Sequence, residues 1–196
     1  MTSNNLSPAA GRIAQLALSH FAEYGYDAAS MNDIALLAGL KKASLYAHFA
    51  SKDDLYQAAL GLALEAETRH VRAQFEPCQG SAGLLGEDYW FRLRDRYTEN
   101  DSLRFLLRAA FYPPHSLRDK VMGGFNDYLA FLRGRFEEVF VQAHPQVAQD
   151  MRNWLVEAYM AVIDSLHVEL IYGNDDGYFR RLEAFRGLYA VLAGRL

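Results

Sequence analysis

Between Ser30 and Lys52 the apolar residues are spaced so closely that few local arrangements can bury them. The segment reads SMNDIALLAGLKKASLYAHFASK. Met31, Ile34, Ala35 and Ala38 recur at helical spacing and share one face. Ser30 is a natural N-cap, and Asp33, three residues on, can complete a capping box. Gly39 can take the backbone angles at a helix end that other residues resist. Beyond it Leu40, Leu45 and Phe49 supply the buried side of a second short helix. Lys41, Lys42, Ser44, Tyr46 and His48 are left for its outer side. Two short helices across a glycine turn form a helix-turn-helix, whose second helix suits the major groove of DNA.

The charges agree. Lysines at a helix N-terminus are mildly unfavourable, by roughly 0.3–1 kcal/mol each, because that end is already partly positive. Yet Lys41 and Lys42 open the second helix, and Lys52 follows Ser51, an N-cap for the next helix with Asp54 completing a box. Between Ile34 and Lys52 there are three lysines and no acidic residue. A phosphate backbone is a negative partner that accounts for all three; the alternative is ordinary solvated lysines.

From Ile13 to Tyr56 the chain resembles the N-terminal domain of TetR-type (TetR/AcrR) transcriptional regulators. The matching residues are Ile13, Phe21, Gly25, Tyr26, Ile34, Ala35, Ala38, Gly39, Leu45, Tyr46, His48, Phe49, Lys52, Leu55 and Tyr56. The most specific run is LYAHFASKDDLY, Leu45 to Tyr56. Lys41 departs from the Ser or Thr frequent there in the family, which removes a side-chain cap. The resemblance implies a homodimer whose last two long helices form the contact between copies. It also implies a small hydrophobic effector held in the C-terminal part, and repression rather than activation.

With half its residues hydrophobic, the chain can build a packed core. Its net charge of −4 argues against a general nucleic-acid coat, but not against a reader with its positive charge at one edge. Cys78 is the only cysteine, so neither an intrachain disulfide nor a Cys-rich zinc site is expected, and a reduced, cytoplasmic setting fits. The N-terminus lacks the pattern of a signal peptide, and no apolar run is long enough to span a membrane.

An all-α fold is expected throughout. Ser7 and Pro8 start a first helix that ends at Gly25, with Ile13, Ala17, His20, Phe21 and Tyr24 facing inward. His20 reads as a satisfied, half-buried imidazole. A long fourth helix runs from Ser51 to about Phe75 and ends in a loop at Pro77 and Gly80–Gly83. The functional boundary is set near Tyr56: a DNA-binding domain over 1–56, and a helical effector-binding and dimerisation domain over 57–196. From Leu84 onward everything reads as helix. Glu87–Thr98 is one; Asp101 or Ser102 caps a second, stopped at Pro113–Pro114. A third covers Ser116–Ala143, a fourth starts at Pro145 and ends near Tyr172, and Asp176 caps the last.

Trp154–Tyr172 is apolar nearly all round and needs partners on more than one face. With the last helix it could form a four-helix bundle with a second copy through Trp154, Leu155, Val162, Leu166, Phe185, Leu188 and Leu192; burial within one subunit is the alternative. Trp90, Tyr97, Phe105, Phe111, Phe125 and Tyr128 are candidates to line an effector cavity, although for any one of them core packing is the better reading. Arg108, Asp164 and His167 are candidate polar anchors. Asp164 and His167, three residues apart, share a face and could instead pair at the dimer surface.

A di-iron site is not expected, although Glu67 and His70 have E-x-x-H spacing and Asp164 and His167 loosely echo it. Such a site needs two proper motifs and two further glutamates. No metal, cofactor or catalytic motif is expected. The expected reader contacts DNA through Lys41, Lys42, Ser44, Tyr46 and His48, with Lys52 on a phosphate. The rival reading is a helical small-molecule-binding protein or enzyme that does not bind DNA.

Overall fold

Ser7 accepts a hydrogen bond from the Ala10 amide at 3.3 Å, and Pro8 sits where a helix needs no amide donor. Helix α1 (Pro8–Ala28) starts there in the computed structural model, which describes residues 6–75 and 85–193. The expected loop at Pro77 and Gly80–Gly83, and Cys78, lie outside the described residues. Nine further helices follow among the described residues: α2 (Met31–Leu37), α3 (Lys42–Tyr46), α4 (Lys52–Gln74), α5 (Glu87–Phe91), α6 (Leu93–Glu99), α7 (Asp101–Phe111), α8 (Arg118–Ala143), α9 (Gln149–Tyr172) and α10 (Asp175–Ala193). The fold is all-α.

Two packing units are interleaved along the sequence: Met1–Glu67 with Thr98–Tyr128, and Thr68–Tyr97 with Leu129–Leu196. In the first, α1 packs on α7 and α2, and α2 on α3. Ile13, Ala14, Ala17, Leu18 and Phe21 are buried along α1. The Phe21 ring meets Tyr56 edge-on at 4.9 Å, and Tyr56 lies 5.0 Å from Phe105. Burying each such ring stabilises the unit by roughly 1.5–3 kcal/mol.

In the second unit α9 lies against α10. Phe136 of α8 stacks on Tyr159 of α9, with ring centroids 3.8 Å apart. The Tyr159 hydroxyl donates to the Gly86 carbonyl at 3.1 Å. Gly86 has φ 74°, and a Cβ there would come within 2.9 Å of the Tyr159 ring, so this turn requires glycine. The Tyr178 hydroxyl donates to the Trp90 carbonyl at 3.1 Å, tying α10 to α5.

Several expectations are corrected. Gly25 breaks α1 (φ 76°, ψ 176°), but the chain resumes helical geometry and reaches Ala28. Tyr24 is 49% exposed rather than inward-facing. The single helix expected over Glu87–Thr98 is two, parted at Arg92. Asn100, not Asp101 or Ser102, caps α7, accepting from Ser102 N at 2.8 Å and Leu103 N at 3.3 Å. Helix α9 starts at Gln149, four positions beyond Pro145, and Asn174 rather than Asp176 caps α10, accepting from Gly177 N at 2.8 Å. Among the described residues His20 Nε2 is buried with no hydrogen-bond partner, so this imidazole is not fully satisfied.

Candidate nucleic-acid interface

Helix α2 begins at Ser30, whose Oγ accepts from Asp33 N at 3.1 Å and donates to the Asp33 carboxylate at 2.6 Å. The aspartate closes the box through the serine hydroxyl instead of its amide. At the other end Gly39 (φ 68°) sends its amide to the Leu36 carbonyl at 3.0 Å, and Leu40 N reaches the Ala35 carbonyl at 2.8 Å. This pair of bonds is the Schellman ending, which only a left-handed residue permits without strain. It turns the chain into α3.

Helix α3 is five residues long, with Lys41 as its N-cap and Ala47 as its C-cap. The Lys41 side chain makes no capping bond, in keeping with the missing Ser or Thr. Leu45 is fully buried and Phe49 nearly so, pinning the short helix to the core. Lys41, Lys42, Ser44, Tyr46 and His48 are all exposed, so each residue expected to read DNA from this segment is open to solvent. On α2, Leu36 and Leu37 are exposed as well, at 70% and 56%.

Lys52, the first residue of α4, is held differently. Its Nζ lies 4.3 Å from the centroid of the Tyr26 ring and donates to the Asp27 carbonyl at 3.4 Å. The Tyr26 hydroxyl donates to Asp53. Burial, then this bond to the carboxylate, push the Tyr26 phenol up to about 12, while the bond holds Asp53 below the ordinary carboxylate range. Ser51 caps α4 through Asp54 N at 3.0 Å, and the Asp54 carboxylate accepts from Ala50 N at 3.1 Å. Sequence reasoning did not find the Tyr26–Lys52 pair. The residues are far apart in sequence, and no periodicity signals such a pairing.

The residues named for an effector divide between the two packing units. Phe105, Arg108, Phe111, Phe125 and Tyr128 belong to the first packing unit; Trp90, Tyr97, Asp164 and His167 belong to the second. Arg108 donates to the backbone carbonyls of Glu23 at 3.1 Å and Ala22 at 3.4 Å. Asp164 is exposed and His167 buried, so the two side chains meet different surroundings. Burial lowers the His167 imidazole to about 4. Trp90 is fully buried, and its indole N–H meets no acceptor among the described residues.

Of the residues named for a dimer contact, Leu155 and Leu166 face into the core of their own unit, which corrects that part of the set. Phe185 is half-buried, edge-on to Trp90 at 5.5 Å, and Val162 is also half-buried. Trp154, Leu188 and Leu192 are exposed at 67%, 66% and 38%. Along α9 the exposed positions Met151, Trp154, Ala158, Ala161, Val168 and Tyr172, with half-buried Ser165 between Ala161 and Val168, follow steps of three and four, the spacing of a helix-pairing seam.

Among the described residues no group of three or more His, Cys, Asp or Glu converges to hold a metal, and no helix is long and apolar enough to cross a membrane.

Comparison with known proteins adds a family. Residues 13–59 match the bacterial regulatory proteins of the tetR family. The biofilm operon icaADBC HTH-type negative transcriptional regulator IcaR of Staphylococcus aureus is 46% identical over 46 residues, 24% of this chain. That match spans about a quarter of the relative's length, 25%. Over nearly the whole chain, a TetR-family regulator from Cytophaga hutchinsonii superposes with a TM-score of 0.68 at 17% identity, covering 95% of this chain and 97% of its own. Another, from Agrobacterium tumefaciens, gives 0.67 at 18% identity, covering 91% and 96%. Residues 13–59 are thus similar to the tetR family of bacterial regulatory proteins, and the helices share the fold of solved regulators described as TetR-family.

Proposed function

We propose that this chain is a DNA-binding transcriptional regulator that works as a homodimer, represses its target and is released from its operator by a small hydrophobic effector. The observation that carries the reading is the outer face of α3: Lys41, Lys42, Ser44, Tyr46 and His48 stand exposed, and no acidic residue occurs from Ile34 to Lys52. Such a face favours the phosphate-lined major groove, with Lys52 on an adjacent phosphate. Likeness to a negative regulator over the reading segment supports repression.

Dimerisation is supported by the apolar outward seam of α9 and by exposed Leu188, Val191 and Leu192 on α10, a patch that a second copy would cover. Two heads would then read half-sites about 34–36 Å apart. Effector control is supported by the buried indole of Trp90, whose N–H meets no acceptor among the described residues. An effector lowers operator affinity only by preferring the conformation in which the heads are misplaced. This reading requires no catalytic step and places the protein with DNA in the cytoplasm.

Gel-shift titration against DNA flanking the protein's own gene, at graded salt, tests the proposal. Six phosphate contacts from Lys41, Lys42 and Lys52 of two copies give a slope of log affinity on log salt near about −5. Lys52→Ala should make it shallower by about 2 per dimer. Equal, weak affinity for all DNA would favour the rival reading of a small-molecule-binding protein.

A further inference from the structure

The outer face of α3 has a composition that limits which base edges it can read. From Ile34 through Lys52 the chain contains no Arg, Asn, Gln, Asp or Glu. Paired hydrogen bonds to adenine come from Asn or Gln, cytosine's amino group is read by Asp or Glu, and guanine by Arg or Lys. Of these readers α3 presents one, the exposed Lys42. Its other exposed side chains are Ser44, whose hydroxyl pairs with more than one base and so selects weakly, the Tyr46 ring, and methyl groups. Ala43 and Ala47 are exposed and four residues apart, with exposed Tyr46 three residues from Ala43, so the three lie on one side. Ala47 keeps helical angles (φ −72°, ψ −21°), so this spacing holds through the C-cap.

Resting on the DNA-binding reading above, we infer that Ala43 and Ala47, flanked by the Tyr46 ring, read thymine C5-methyl groups in the major groove. Each half-site then carries neighbouring A·T pairs opposite Ala43 and Ala47. A thymine methyl against an alanine methyl leaves water without exposing any polar group. Cytosine or adenine in the same place would turn an amino donor toward a side chain that cannot accept from it, leaving that donor unpaired. The lysines draw in the duplex, and the alanines select among its sequences.

The test selects binding sites from a randomised duplex pool with the whole chain. Each thymine of the selected half-site is then replaced by deoxyuridine, which deletes only the methyl. The expected site holds neighbouring thymines, and at two of them uracil weakens binding about fourfold per methyl. Ala43→Ser and Ala47→Ser should each abolish the thymine–uracil difference at one position and keep it at the other. The retained difference reports a folded head, and the uracil series on the unaltered protein needs no variant. Enriched sites without thymine at these positions, or uracil tolerated throughout, overturn the inference while DNA binding stands. Failure of any sequence to enrich over bulk DNA overturns both.

Discussion

The Arg108 guanidinium of α7 packs against the α-carbon of Gly25, where a Cβ would sit 2.9 Å from Nε and 3.0 Å from Nη2. Its Nη1 donates to the Glu23 carbonyl at 3.1 Å and the Ala22 carbonyl at 3.4 Å. Gly25 holds angles open to glycine alone, and those angles bare the last carbonyls of the regular part of α1. The arginine satisfies them.

Gly25→Ala therefore incurs two costs. The backbone conformation adds about 1–3 kcal/mol of strain, and the new methyl displaces the guanidinium. Urea denaturation should show a loss of roughly 2–4 kcal/mol. Added to Arg108→Ala, the same change should cost less than the sum of the two, because the steric part is then gone. Strict additivity would mean that the two residues do not share their energy.

Tyr26 positions Lys52 at the head of α4. Tyr26→Phe keeps the ring beneath the ammonium and should leave operator affinity close to the original. Tyr26→Leu removes the ring, and a cation–π contact of about 0.5–1 kcal/mol corresponds to a two- to fivefold loss. Fluorescence anisotropy with a labelled operator distinguishes the two variants.

The same cluster sets an acid limit. The folded-state pKa of Asp53 lies below its ordinary 3.8, chiefly through the Tyr26 hydroxyl, so the carboxylate is favoured on folding. That stability is present above 3.8 and is lost as pH falls through the folded value. Tyr26→Phe should narrow the gap between the two values, so less stability is lost in this range. Acid titration of the melting temperature reads the difference.

His167 acts at milder pH. Burial lowers its imidazole from 6.5 to about 4, so the unfolded chain binds the proton more tightly. Stability is whole above 6.5 and declines as pH falls toward 4, by on the order of 3 kcal/mol. His70, half-buried and near Arg96 and Arg92, is lowered to about 4 as well and adds to the decline. His167→Gln should flatten the slope without abolishing it; an unchanged slope would show that His167 is not the titrating group.

Trp154 and Leu188 are exposed in the chain, so a charge at either need not disturb the core. Trp154→Glu or Leu188→Glu should leave the melting temperature nearly unchanged while dimer dissociation rises roughly 30-fold or more. Analytical ultracentrifugation across a concentration series measures it. A variant still dimeric at nanomolar concentration would exclude this face as the contact.

The glycine turn and both flanking helices were legible because capping chemistry, apolar spacing and a left-handed residue pointed the same way. The misplaced caps show where that logic stops. Asn100-Asp101-Ser102 and Asn174-Asp175-Asp176 are runs in which every residue is a good cap, so nothing local decides among them. The asparagine won in both. The differing exposure of Asp164 and His167 was hidden for another reason: residues three apart differ by about 60° around a helix, enough to put one in solvent and the other in the core. The bonds of Arg108 to the Ala22 and Glu23 carbonyls were not legible, because no sequence pattern displays a backbone partner.

On the DNA-binding function proposed above, a reading helix of five residues also sets a ceiling on how much sequence the protein can distinguish. At 1.5 Å per residue it spans about 7.5 Å, little more than two base-pair steps. One head then distinguishes about three base pairs, or roughly 6 bits, and two heads about 12. Singling out one address among about a million requires close to 20. The shortfall has to come from half-site spacing and DNA shape, or else the protein serves several addresses at once. A regulator built this way is suited to a small set of related operators rather than to a single one.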